Sequence, residues 1–184
     1  MRNLYFVFSL LLGLSLGSKS AAIGTLGIVE DLLGCISSPC IPKKEFYAGG
    51  SIAVFLKVVA KVQERRITVV VSAPCYSACA LFADKARPFV CIKQGASFGF
   101  HKSALWRLPK ELESVAQEPM PIKESTGANA PLWFQNHGYR FNGYRDPEYS
   151  SDVKNYLDRR GGAPIEKFLM MSYKQAKKFW PVCQ

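Results

Sequence analysis

Apolar residues recur at Ile52, Phe55, Leu56, Val58, Val59 and Val62, while Lys57, Lys61 and residues 63–66 occupy the other face and the end. Spacings of three and four predict an amphipathic helix there. Ile67-Thr68-Val69-Val70-Val71 follows without alternation, as a strand covered on both faces reads. A second helix is expected to start near Ser77 and to continue through Ala80-Leu81-Phe82-Ala83. Two short strands are then expected, at Pro88–Ile92 and Ala96–His101, split by a Lys-Gln-Gly turn. Strands alternating with helices predict an α/β layout, a mostly parallel sheet flanked by helices.

The flanks are looser. Residues 23–48 mix a short apolar piece (Ile28-Val29, Leu32-Leu33) with the loop from Cys35 to Cys40. Residues 103–150 carry Pro109, Pro119 and Pro121 and interleaved aromatics such as Trp106, Phe134, Phe141 and Tyr144, the pattern of a long ordered excursion. The tail 151–184 reads as two helices around Gly161-Gly162, the second carrying Lys167, Lys174, Lys177 and Lys178. The expected organisation is one domain over 23–184, with a core at 49–103.

The start of the chain belongs to a different category. Met1-Arg2-Asn3 is a basic opening, Leu4 to Leu16 is almost wholly apolar, and Ser20 and Ala22 suit the −3 and −1 sites of a signal peptidase. An apolar run of about 13 residues is short against the roughly 20 that a permanent span needs. A cleaved signal peptide over 1–22 is the expectation, with periplasmic or secreted localisation; a retained N-terminal membrane anchor is the alternative. Net charge is +10 from 24 basic and 14 acidic residues. Loss of Arg2 and Lys19 with the leader leaves +8, since 22 − 14 = 8. The apolar fraction of 48% excludes an intrinsically disordered chain.

Export changes how the cysteines read. Cys35, Cys40, Cys75, Cys79, Cys91 and Cys183 form an even set, and in an oxidising compartment that implies disulfides, with the pairing open. Cys75 and Cys79 can pair across the turn, or each can pair elsewhere, for example with Cys91. The spacings do not match Cys-x-x-Cys metal knuckles, so no metal and no cofactor are expected.

The chemistry concentrates in Cys75-Tyr76-Ser77-Ala78-Cys79. A serine at the turn from a buried strand into a helix, among small residues, has the form of a nucleophile elbow. Serine needs a base at neutral pH, and His101 ends a strand 24 residues later. Gly49-Gly50, at the start of the first core helix, offers backbone N–H groups as a second anion-stabilising element. Taken singly, a serine such as Ser77 is more often a helix N-cap and a histidine such as His101 more often a satisfied strand-end residue; their joint order is what points to catalysis.

Gly-Gly, then Ser-Ala 27 residues after the second glycine, then Phe-Gly-Phe-His, resembles the Clp protease proteolytic subunit and its crotonase-fold relatives. The likeness is greatest to exported Clp-like proteins with a Cys-x-Ser-Ala-Cys elbow, an Arg-Pro turn (Arg87-Pro88) and a Gly-x-His strand. It covers roughly residues 49–103 well and 155–178 loosely. The resemblance implies a crotonase-like fold and a serine peptidase or hydrolase. Ser77 would be its nucleophile and His101 its general base, with the N–H groups of Gly50 and Ala78 as the oxyanion hole and Gly49 the neighbouring alternative. The matching stretch for the family's acid, 162–171, holds no aspartate, so Asp152, Asp158 or Glu166 is expected to substitute, Asp152 first.

Two other readings stand beside this one. A Ser–Lys dyad, as in signal peptide peptidases of this fold, would use Lys102 or Lys123. A catalytically inactive binding protein of the cell envelope would use the same fold and a basic, aromatic surface. The expected partners are a peptide or unfolded-protein substrate, a second copy of the chain, and an anionic envelope surface. Nucleic acid is not expected, nor is an ATP-driven AAA+ unfoldase, since ATP is scarce outside the cytosol.

Overall fold

A computed structural model describes residues 30–107 and 129–184. The leader 1–22, Lys123 and the middle of the aromatic excursion lie outside the described residues. The elements in chain order are α1 (Lys44–Tyr47), α2 (Ile52–Arg65), β1 (Val69–Val71), β2 (Pro74–Tyr76), α3 (Ala78–Lys85), β3 (Val90–Ile92), β4 (Ser97–Phe100) and β5 (Ser103–Arg107). Then come α4 (Asn129–Asn136), β6 (Arg140–Arg145), α5 (Ser151–Asp158), β7 (Leu169–Met171) and α6 (Tyr173–Ala176). The fold is mixed α/β.

Most of the periodic apolar positions of α2 are buried, namely Phe55, Val58, Val59 and Val62. Ile52 and Leu56 are the exceptions: Ile52 is half-buried, and Leu56 keeps 43% of its surface exposed. Both line a cleft described below. The buried stripe packs with Phe46 of α1 and Phe82 of α3, whose rings meet edge-on at 5.0 Å. Each fully buried ring or branched side chain adds about 1.5–3 kcal/mol over an exposed one. The β-branched run of β1 is buried on both faces, as its lack of alternation predicts.

The expected mostly parallel sheet is replaced by three small sheets, β1-β3, β2-β4-β7 and β5-β6. β1 with β3 and β2 with β4 are parallel, whereas β4 with β7 and β5 with β6 are antiparallel. A parallel pair needs a crossover of about a dozen residues or more. Both parallel pairs obtain theirs through α3. β7 is also the correction to the expected second tail helix. Residues 169–171 form a strand against Phe98, Gly99 and Phe100, and Lys167 precedes it rather than sitting in a helix. The pairing joins segments about 70 residues apart, so no local pattern announces it. Pro88 and Phe89 belong to a 3₁₀ turn, and only Val90–Ile92 is strand.

Three disulfides close the structure: Cys35–Cys40, Cys75–Cys79 and Cys91–Cys183, with Cα–Cα separations of 5.7, 5.3 and 5.0 Å. All six cysteines are paired, which fits an oxidising compartment. The Cys91–Cys183 bond fixes the C-terminal segment to β3, where Ile92 N–H donates to Pro181 O and Cys183 N–H donates to Ile92 O. Trp180 is thereby held in the core, stacked on Phe98 at 4.1 Å and donating its indole N–H to Ala83 O. No helix among the described residues is long and apolar enough to cross a membrane.

Candidate active site

Ser77 joins β2 to α3 with φ 55° and ψ −121°, a conformation that L side chains rarely adopt. Such strain persists only where neighbours fix it. Here the Cys75–Cys79 disulfide bridges the turn directly across Ser77, and Ser77 N–H donates to Gly99 O at 2.9 Å. The hydroxyl therefore sits at the N-terminus of α3. Ala78 opens that helix, and its N–H has no carbonyl one turn back to receive it.

His101 follows directly after β4, and the parallel pairing of β2 with β4 brings it beside the elbow. Ser77 Oγ and Nε2 of His101 are hydrogen-bonded across 2.7 Å. With the ring neutral and its proton on Nδ1, the hydroxyl is the donor. Burial pushes the His101 pKa below the ordinary histidine value, which favours this neutral state. Phe168 meets the imidazole edge-to-face at 4.8 Å and packs on Tyr76 at 5.0 Å, so one ring steadies both the base and the elbow. Gly99 makes room for this: a Cβ there would lie 2.5 Å from Tyr76 Cδ1 and 3.2 Å from Phe168 Cδ1.

The Gly-Gly pair lies against the elbow. Gly49 has φ +75°, and a Cβ on it would stand 2.4 Å from Tyr76 O, 2.8 Å from Ser77 Cβ and 3.1 Å from Ala78 N. Only glycine lets that backbone approach Ser77 so closely. Gly50 lines the same cleft as Ser77 and His101. Four residues singled out in the sequence, Ser77, His101, Gly50 and Ala78, are thus brought together.

Asp152 is not with them. Its carboxylate accepts from Arg87 and from the hydroxyl of Ser150, and no hydrogen bond joins it to His101. The Arg87 hydrogen bond holds its carboxyl well below the usual carboxylate range. Arg87 also pairs with Asp84, whose side chain is fully buried and accepts from Ser150 N–H at 2.6 Å. This network ties the end of α3 to the start of α5 and is structural. Asp158 is paired with Lys154. Lys102 directs its N–H to Pro164 O, and no side-chain bond links it to Ser77. Among the described residues no group of three His, Cys, Asp or Glu side chains is placed to hold a metal ion.

The dyad opens onto a cleft of about 670 Å³. Its walls are Ile52 and Leu56 of α2, Leu105 and Trp106 of β5, Phe134 of α4 and Phe168, with Arg145 of β6 at the rim. Phe168 and Arg145 escape sequence reasoning. The first lies in a stretch that reads as helix, and the second faces the site only through its cross-strand pairing with Ser103. The aromatic excursion did carry a signal, since binding loops have that composition. Comparison with protein-family models, with characterised proteins and with solved structures returned no match.

Proposed function

We propose that this protein is an exported serine hydrolase, a Clp-like peptidase that works without an unfoldase, with Ser77 as nucleophile and His101 as general base. The observation that carries this reading is the 2.7 Å hydrogen bond between a serine at positive φ and a half-buried imidazole whose pKa burial lowers. Ser77 Oγ attacks the carbonyl carbon of a peptide or ester while its proton passes to His101 Nε2. The resulting oxyanion lies at the helix N-terminus, within reach of the N–H groups of Ala78 and Gly50. Collapse expels the leaving group, which takes the proton from His101, and water then hydrolyses the acyl-enzyme by the same steps.

The imidazole lacks a hydrogen-bonded carboxylate among the described residues, so its orientation is assigned to Phe168 and to burial. An acid that only orients the ring is less essential than the base, though its loss costs rate. Three disulfides support the exported location, and the basic, apolar opening of the chain supports a leader as the route. Substrates in such a compartment are peptides or unfolded segments.

A fluorophosphonate probe tests the reading. The wild-type chain labels at Ser77, and Ser77→Ala and His101→Ala lose labelling by a factor on the order of 10⁴–10⁶. A chain that stays unlabelled while correctly folded is a binding protein instead.

A further inference from the structure

We infer that the cleft selects an apolar peptide segment that carries negative charge, and that Arg145 reads that charge. The inference rests on the proposed hydrolase site and names what enters it.

The cleft walls are mainly apolar, with Ser51, Ser77, His101, Ser103 and Arg145 as the polar side chains. Leu56 of α2 is exposed and Ile52 is half-buried against the core, and both line the cleft together with the stacked pair Trp106–Phe134, whose rings lie 5.5 Å apart and 9° from parallel. Exposed apolar surface at the mouth of a concave site is where an apolar ligand is recognised. Leucine- and phenylalanine-sized side chains match these walls.

Arg145 is the one arginine, lysine, aspartate or glutamate among the residues lining the cleft. It forms no ion pair among the described residues. Its strand partner is Ser103, two residues from His101, and Arg145 lines the same cleft as Ser77 and His101. Arginine presents a planar fork of donors that fits a carboxylate with two hydrogen bonds.

The positive character continues outward. At the far end of the β5-β6 ribbon, Arg107 and Arg140 are direct cross-strand partners. Like charges opposite each other are destabilising unless an anion lies between them. From Arg145 to that pair the ribbon runs roughly 13 Å at about 3.3 Å per residue. Residues 103–107 and 129–145 carry no aspartate or glutamate; Asp146 follows Arg145 directly, and Glu111, Glu113, Glu118 and Glu124 lie outside the described residues. An extended peptide with acidic residues beside its apolar ones satisfies both the walls and the ribbon.

The test uses the full mature chain carrying Ser77→Ala, so that binding is read without turnover. Three fluorescent peptides share a Leu-Phe core and differ only in flanking Glu, Ser or Lys residues, and affinity is measured by anisotropy. The acidic peptide is expected to bind most tightly, with an advantage that shrinks as salt is raised. Arg145→Gln should weaken the acidic peptide roughly tenfold or more and leave the serine peptide unchanged; Arg145→Lys should recover part of the loss. Equal affinity for all three peptides, preference for the lysine peptide, no binding, or an unaltered acidic preference in Arg145→Gln would each overturn the inference. Labelling of the wild-type Ser77 is measured separately, so failure of the specificity and failure of the nucleophile are told apart.

Discussion

Gly49→Ala is the sharpest probe of the elbow, because the added methyl meets backbone rather than a side chain that can swing away. At φ +75° an alanine costs about 1–2 kcal/mol relative to glycine. The contact adds more. A Cβ 2.4 Å from Tyr76 O is about 1 Å inside ordinary van der Waals separation. The same Cβ falls 2.8 Å from Ser77 Cβ, so relief requires the Gly-Gly loop and Ser77 to part by about 1 Å. A displacement of about 1 Å at a reacting centre typically costs on the order of 10² in rate. The elbow is tied by the Cys75–Cys79 bond, so the glycine loop is the side expected to move, and the oxyanion donors move with it. The assay is the second-order rate of fluorophosphonate labelling, paired with a thermal melt. Labelling is expected to fall about 100-fold, and Tm by no more than about 10 °C. Labelling at the wild-type rate in a folded Gly49→Ala chain would refute the placement of this loop in the catalytic apparatus.

Other expectations follow from the same geometry. Labelling should rise with pH through a midpoint below about 6.5, because the base must be neutral and burial depresses its pKa. The sign for stability agrees: between the depressed folded value and the unfolded one the unfolded chain binds more protons. The His101 contribution is therefore present above about pH 6.5 and is lost as pH falls through the folded value, which melts at graded pH would show. Asp152→Asn should leave labelling nearly unchanged and cost at most about 1 kcal/mol, since its ion pair is largely exposed. Asp84→Ala should cost about 3–5 kcal/mol by leaving Arg87 without its buried partner, a contrast readable in denaturant melts. Cys75→Ser with Cys79→Ser removes a short loop worth roughly 2 kcal/mol, whereas the pair Cys91→Ser, Cys183→Ser opens a loop worth about 4–5 kcal/mol. The first should impair labelling more than stability, and the second the reverse.

The residues proposed to react were legible in the sequence because each is announced by a local pattern. Gly49-Gly50 precedes a helix, Ser77 sits where a β-branched strand gives way to small residues, and His101 closes a strand that begins after a glycine turn. β2 at Pro74–Tyr76 was not legible as a strand, because Pro74 and the small residues around it carry no strand pattern, and its pairing with β4 appears only in the structure. Asp152 was misassigned for a physical reason: a carboxylate is defined by its partners, and Arg87 lies 65 residues away in sequence. Phe168 and Arg145 were illegible on the same ground, since β7 and β6 reach the site through long-range pairing. Cysteine pairing was open in the sequence, and the three bonds became fixed only once the elbow, the 35–40 loop and the C-terminal segment had positions.

The central claim is that Ser77 forms an acyl-enzyme with His101 as its base. The most direct measurement is rapid-quench mass spectrometry of the mature chain after mixing with an activated ester. One acyl adduct per chain, mapped to Ser77, formed in a burst and absent from His101→Ala, is the predicted result. No adduct, an adduct on a lysine, or the same burst in His101→Ala would contradict it.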